Sequence, residues 1–251
     1  MNPAADTLRP LAAQTGAEVF MTLRRGETLL LTLGIPVVFL LFFSKVSVVS
    51  TPTSTPANFF VPGILALAVM STAMVSLGIA TGFERGYGVL KRLGSTPLGR
   101  PRLLGAKVAT ILVVETLQAA VLVPVGAGLG WRPPGGAGSA AGEALALALL
   151  GTAAFAGIGL CLAGLLRAEV NLAATNGLYL VFLLLGGMIV PVAKLPAAMG
   201  ALARALPPAA LSGGLHATLG TGTPVPVESW VVLGVWAVAA PLAAALTFRW
   251  E

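Results

Sequence analysis

One acidic side chain stands where hydrocarbon is expected. Glu115 falls inside a long apolar run of the 251-residue chain, and Gln118 follows about one turn later on the same helix face. A carboxylate near the centre of a membrane-spanning helix costs about 2.5–3.5 kcal/mol on insertion scales, so it must face protein or water. Three readings stay open: a substrate or proton site in a translocation path, a hydrogen-bonded contact between helices, or a group that reaches the membrane surface because its helix starts early. At 1.5 Å per residue Glu115 lies about 12 Å beyond Lys107, which argues against the third. Asn171 and Asn176 raise the same question near the start of another apolar run, where Asn171 also fits as a helix cap. Glu115, Gln118 and Asn176 are the candidate substrate-path residues.

Other chemistries are thinly supplied. Ser212 precedes the only histidine, His216, by four residues, the minimum for an intramembrane serine hydrolase, but both fall in a Pro- and Gly-rich segment without a partner cluster. That hydrolase is the alternative reading. One His and one Cys far apart in sequence do not make a metal site, so none is expected. Cys161 alone also excludes an intrachain disulfide. The nearest approach to a phosphate-cradling loop, GSTPLGRP at 94–101, has Arg100 in place of the lysine and Pro101 in place of the hydroxyl residue, with prolines that remove amide donors. No nucleotide cofactor is expected on this chain.

The elements that must hold these residues follow from composition. Only 10% of residues are charged and 57% are hydrophobic, against about 25% charged in an ordinary soluble domain. With a mean hydropathy of +0.93 the chain must meet lipid. Six charge-poor apolar runs approach the roughly 20 residues needed to cross a bilayer: 29–44, 59–83, 108–129, 144–166, 172–193 and 230–248. Acidic Asp6 and Glu18 interrupt the amino-terminal region, which argues against a cleaved signal peptide. With the amino terminus inside, eleven of the 15 Lys and Arg residues are cytoplasmic and four (Lys45, Arg132, Lys194 and Arg204) are outside. The asymmetry places both termini in the cytoplasm of a cell-membrane protein. The same distribution explains the net charge of +6 without nucleic acid.

The outer loops 50–58 and 132–142 hold too little apolar surface to form a domain. In the outer segment 194–227, Leu195, Met199, Leu202 and Leu206 share a helix face until Pro207 and Pro208, as an interfacial or re-entrant element requires. Inside, residues 1–27 read as an amphipathic helix along the membrane, and 28–251 as the six-helix transmembrane domain. Between the second and third spans, 84–98 reads as a short helix with Leu90 and Leu93 on one side and Lys91 and Arg92 on another, ended by Gly94 and Pro97. Glu84 and Arg85 stand where this loop leaves the membrane, placed to pair across the hinge. Small residues at 126 and 130, and at 153 and 157, are spaced for close helix approach.

Arg24-Arg25-Gly26-Glu27, Phe60-Val61-Pro62-Gly63-Ile64-Leu65, the run from Phe83-Glu84-Arg85 to Leu93-Gly94-Ser95-Thr96-Pro97-Leu98, and Gly186-Gly187-Met188-Ile189-Val190-Pro191 occur here in an order that resembles the ABC-2 type membrane subunits of bacterial ATP-binding cassette exporters, near the drug-resistance permeases. The resemblance implies an all-α, type V exporter-like half-transporter that is not itself an enzyme. It pairs as a homodimer, or as a heterodimer with a second permease, in the membrane lipid. A separate ATP-binding cassette ATPase subunit supplies ATP and Mg. The resemblance also implies that 84–98 is the coupling element, carried by Glu84, Arg85, Leu90, Lys91, Arg92 and Leu93. The expected function is outward movement of a hydrophobic or amphipathic drug, lipid or natural product.

Overall fold

The computed structural model describes residues 3–24, 26–46, 53, 55–94, 100–134 and 137–248, and these form helices joined by short turns. Helix α1 (Pro3–Arg24) is followed by α2 (Gly26–Lys45), and α3 (Pro56–Met70) begins with Pro56, whose missing N–H and fixed φ suit a first helical position. A π-helical segment, Ser71–Ser76, joins α3 to α4 (Leu77–Gly86), so that Pro56–Gly86 is one continuous 31-residue apolar helix. At 1.5 Å per residue it is about 46 Å long, more than the roughly 30 Å of bilayer hydrocarbon. Part of it must therefore extend beyond the apolar layer.

This long helix is the centre of the bundle. Its α3 half packs against α2, α6 (Arg100–Gly128) and α10 (Pro207–Leu215), and its α4 half against α7 (Ala137–Leu165) and α8 (Ala168–Leu185). Phe60, Ile64, Leu67, Met70 and Met74 are fully enclosed there. Backbones approach closely at two glycines of α7. A Cβ on Gly159 would lie 2.6 Å from the Met74 carbonyl oxygen, against the π segment, and one on Gly157 would lie 2.4 Å from the Pro241 nitrogen. The Gly157 contact seats α11 (Val227–Thr247), the most extensive neighbour of α7.

Among the described residues five helices are long and apolar enough to span a membrane, and a sixth apolar stretch, Thr32–Lys45, is shorter. The fifth run ends earlier than its apolar composition predicts, at Leu185 in place of 193, because the backbone turns at Gly186 and at Gly187, whose φ of +69° is left-handed. The chain then forms α9 (Ala197–Arg204), breaks at Leu206, and restarts at Pro207 as α10. Pro207 and Pro208 thus both stop one helix and start the next. Helix α10 continues into a π turn, His216–Thr221, and dips into the core between α3, α7 and α11 before the chain returns to α11. Beside it the Trp131 indole N–H donates to the Leu219 carbonyl at 3.0 Å, and the Arg132 amide donates to Asn58 Oδ1 at 3.2 Å. Helix α1 lies along α6 at the opposite end, where Phe248 also packs.

Candidate coupling element and membrane-level cleft

At the end that carries α1 and Phe248, three elements meet on one lysine. Lys107 of α6 is buried, and its Nζ lies 2.6 Å from Glu84 Oε2 and 3.5 Å from Glu18 Oε1. Gln14 donates to the same Glu18 oxygen at 3.0 Å. Glu84 ends the long central helix, Glu18 belongs to α1, and Lys107 opens the apolar part of α6, so this cluster ties all three together. Arg85 turns the other way and donates its two guanidinium nitrogens to the carbonyls of Gly164 and Leu166. Those carbonyls belong to the carboxy-terminal end of α7, which lacks intrahelical donors and carries the negative end of the helix dipole. Glu84 thus pairs with α6, while Arg85 donates to two carbonyls at the end of α7.

Beyond Arg85 the chain turns at Gly88, with a φ of +70°, into the short helix α5 (Val89–Gly94). Its two faces differ sharply. Leu90 is fully buried against Leu103 of α6, with Phe248 packed alongside, so it anchors the helix to its own chain and is not offered to a partner. Tyr87 is 74% exposed, and Val89, Lys91 and Arg92 are exposed with it. The side chain of Leu93, and residues 95–98 of the coupling segment, lie outside the described residues.

Of the three residues read from sequence as a substrate path, Glu115 and Gln118 border one cavity and Asn176 does not. Gln118 is buried and satisfied: its Oε1 accepts from the Thr72 hydroxyl of the π segment at 3.0 Å, and its Nε2 donates to the Thr32 carbonyl of α2 at 2.9 Å. It fastens three helices. Asn176 is exposed on α8 and donates to Leu172 of its own helix at 2.9 Å. Asn171 is no cap: it lies inside α8, its Nδ2 donates to the Gly78 carbonyl at 2.9 Å, and its Oδ1 accepts from Thr175.

Glu115 sits in the middle of the span Leu103–Gly128, so it does not reach the membrane surface. Its Oε2 meets the Thr152 hydroxyl of α7 at 2.7 Å, and its Oε1 is buried without a hydrogen-bond partner among the described residues. It borders a cavity of about 560 Å³ between α6 and α7, floored by Leu65, Ala68 and Val69 of α3. Thr152, which no spacing singled out, is the partner that sequence reasoning missed. It is one of many hydroxyls in the chain.

Ser212 and His216 do meet, with Oγ 3.1 Å from Nδ1. The other ring nitrogen, Nε2, is 2.9 Å from the Phe59 carbonyl, and the imidazole lies on the Phe59 ring at 4.4 Å between centroids. Ser212 is buried. Both ring nitrogens are engaged, and the pair fastens the re-entrant segment to the start of α3.

A helical bundle that has, among the described residues, five helices long and apolar enough to cross a membrane and a sixth, shorter apolar stretch is a multi-pass membrane protein. The chain belongs to the ABC-2 type transporter family, which matches residues 14–219. It is accordingly the membrane component of a transporter. A search of curated proteins finds no match.

Proposed function

We propose that this chain is the transmembrane subunit of an ATP-driven exporter, joined to a separate ATPase subunit through the exposed face of α5. The observation that carries the reading is mechanical. Helix α5 is short and stands outside the bundle, yet Leu90 anchors it to α6, and the adjoining Glu84 and Arg85 bind α6 and the end of α7. A displacement of α5 is thereby transmitted to the long central helix and to both of its neighbours. Tyr87 and Val89 supply an apolar contact, and Lys91 and Arg92 a basic one, for the ATPase that holds Mg-ATP.

In this reading the basic end faces the cytoplasm, which the distribution of Lys and Arg supports. Closure of the ATPase pair around ATP pushes α5, tilts the central helix, and opens the path outward for a hydrophobic or amphipathic cargo. A second permease, identical or distinct, completes the assembly, and Asn176 on the outward face of α8 is available to it.

The test is recovery of the cognate ATPase by the tagged permease in detergent. Tyr87→Asp with Val89→Asp is expected to lose the ATPase and its cargo-stimulated hydrolysis while the permease still accumulates in the membrane. Full recovery together with wild-type transport would remove the assignment.

A further inference from the structure

We infer that the cleft between α6 and α7 binds a lipophilic organic cation, an amphiphile whose protonated amine meets Glu115 and whose hydrocarbon body fills the aliphatic walls. The inference deepens the transport reading by naming a cargo class and a place for it. It stands on the geometry of the cleft itself.

Helices α6 and α7 are consecutive in the chain, yet they share no substantial packing, and both lean on α3. The space left between them is the 560 Å³ cavity, within the roughly 300–1,000 Å³ typical of small-molecule sites. Its walls are mostly aliphatic, with Leu112 and Val123 on α6 and Ala148 and Leu149 on α7. Trp131 and Leu219 bound it on the side of the re-entrant segment. Val123, Leu145 and Leu149 are also exposed on the surface within the candidate spans, so part of the mouth lies at the level of the bilayer. An occupant arrives by partition through lipid.

Charge selects among such occupants. Lys, Arg and His are absent from the described lining, whereas Glu115 Oε1 is buried beside it without a hydrogen-bond partner. The other oxygen is held by Thr152, which fixes the carboxyl group at the inner end of the aliphatic slot. A protonated amine is the complement to that oxygen. A neutral amphiphile or a lipid acyl chain would gain only from apolar burial.

The experiment uses the full chain in phosphatidylcholine vesicles without any ATPase. The probes are a long-chain primary amine carrying an aryl diazirine and its N-acetyl derivative, which has the same body and no charge. Photolysis by the amine is expected to label residues 112–123 and 141–149 saturably. Glu115→Gln should cut that labelling at least tenfold and leave labelling by the N-acetyl probe unchanged, which also shows that the cleft has kept its shape. Ala148→Phe, which fills the slot, should reduce both. Equal labelling by the two probes with no effect of Glu115→Gln would overturn cation recognition, and labelling confined to other segments would overturn the site. Because the ATPase is absent, failure here leaves the coupling assignment intact, and failure of the ATPase pull-down leaves the cleft intact.

Discussion

Two acidic residues, Glu84 and Glu115, are treated in opposite ways. Glu84 stands at the end of its helix against a buried lysine, and α1 adds a second carboxylate to the same cation. Glu115 lies at mid-span beside an aliphatic cleft, with one oxygen on a threonine hydroxyl and the other buried without a hydrogen-bond partner among the described residues. A carboxylate closed by a cation from its own chain works as a fastener. One that is left open at membrane depth is set up to receive something else. The same contrast divides the polar amides: Gln118 and Asn171 spend their hydrogen bonds between helices, while Asn176 bonds only to its own helix and faces outward.

The largest effect should come from opening the fastened end. Lys107→Met leaves Glu84 and Glu18 facing each other without their shared cation, and is expected to destabilise the protein by on the order of 3 kcal/mol. Adding Glu84→Gln should restore part of that loss, and a double-mutant cycle on unfolding in detergent measures the coupling. A cycle with no interaction energy would show that the cluster does not brace the helices.

Gln118→Leu is expected to cost about 2 kcal/mol, because it strands the buried Thr72 hydroxyl and the Thr32 carbonyl together. The loss should appear as a lower melting temperature with unchanged labelling of the cleft by the cationic probe. A loss of labelling with no change in melting would move Gln118 from the fastening group to the binding group.

His216→Ala should cost about 1 kcal/mol by releasing the re-entrant segment from Phe59, and should leave transport by the reconstituted complex near wild type. Wild-type protein is expected to be inert toward an active-site serine probe. Labelling of Ser212 that depends on His216 would revive the hydrolase. The smallest effect falls on Glu115→Gln, which keeps size and the contact to Thr152 and relieves a charge at membrane depth. Its melting temperature should match or exceed that of the wild type, in contrast to the Lys107 substitution at the fastened end.

Much of the architecture was legible because hydrocarbon imposes a simple pattern. Charge-poor runs located the five helices long enough to span a membrane and a shorter sixth apolar stretch, and Gly and Pro located their interruptions. The end of the fifth span was misjudged because 186–193 remains apolar while its backbone turns, which composition does not register. The segment 84–98 was recognisable as a helix with two faces. Periodicity shows that Leu90 lies on an apolar face, but an apolar face serves equally well against another part of the same chain, and here Leu103 and Phe248 claim it. Tyr87 was overlooked because it sits between two glycines at a turn, outside any helical stripe. The partners of Lys107 and Glu115 come from residues far away in sequence, and nothing in local spacing distinguishes Thr152 from other threonines.

The most direct measurement on the coupling element places a photoreactive phenylalanine analogue at position 87 or position 90 in the assembled complex. From position 87 the expected product is a covalent adduct between permease and ATPase that forms in every nucleotide state in which the two remain bound. From position 90 the expected product is a cross-link within the permease, to the segment around Leu103 or Phe248. Capture of the ATPase from position 90 and not from position 87 would mean that the buried and exposed faces of α5 have been assigned the wrong way round.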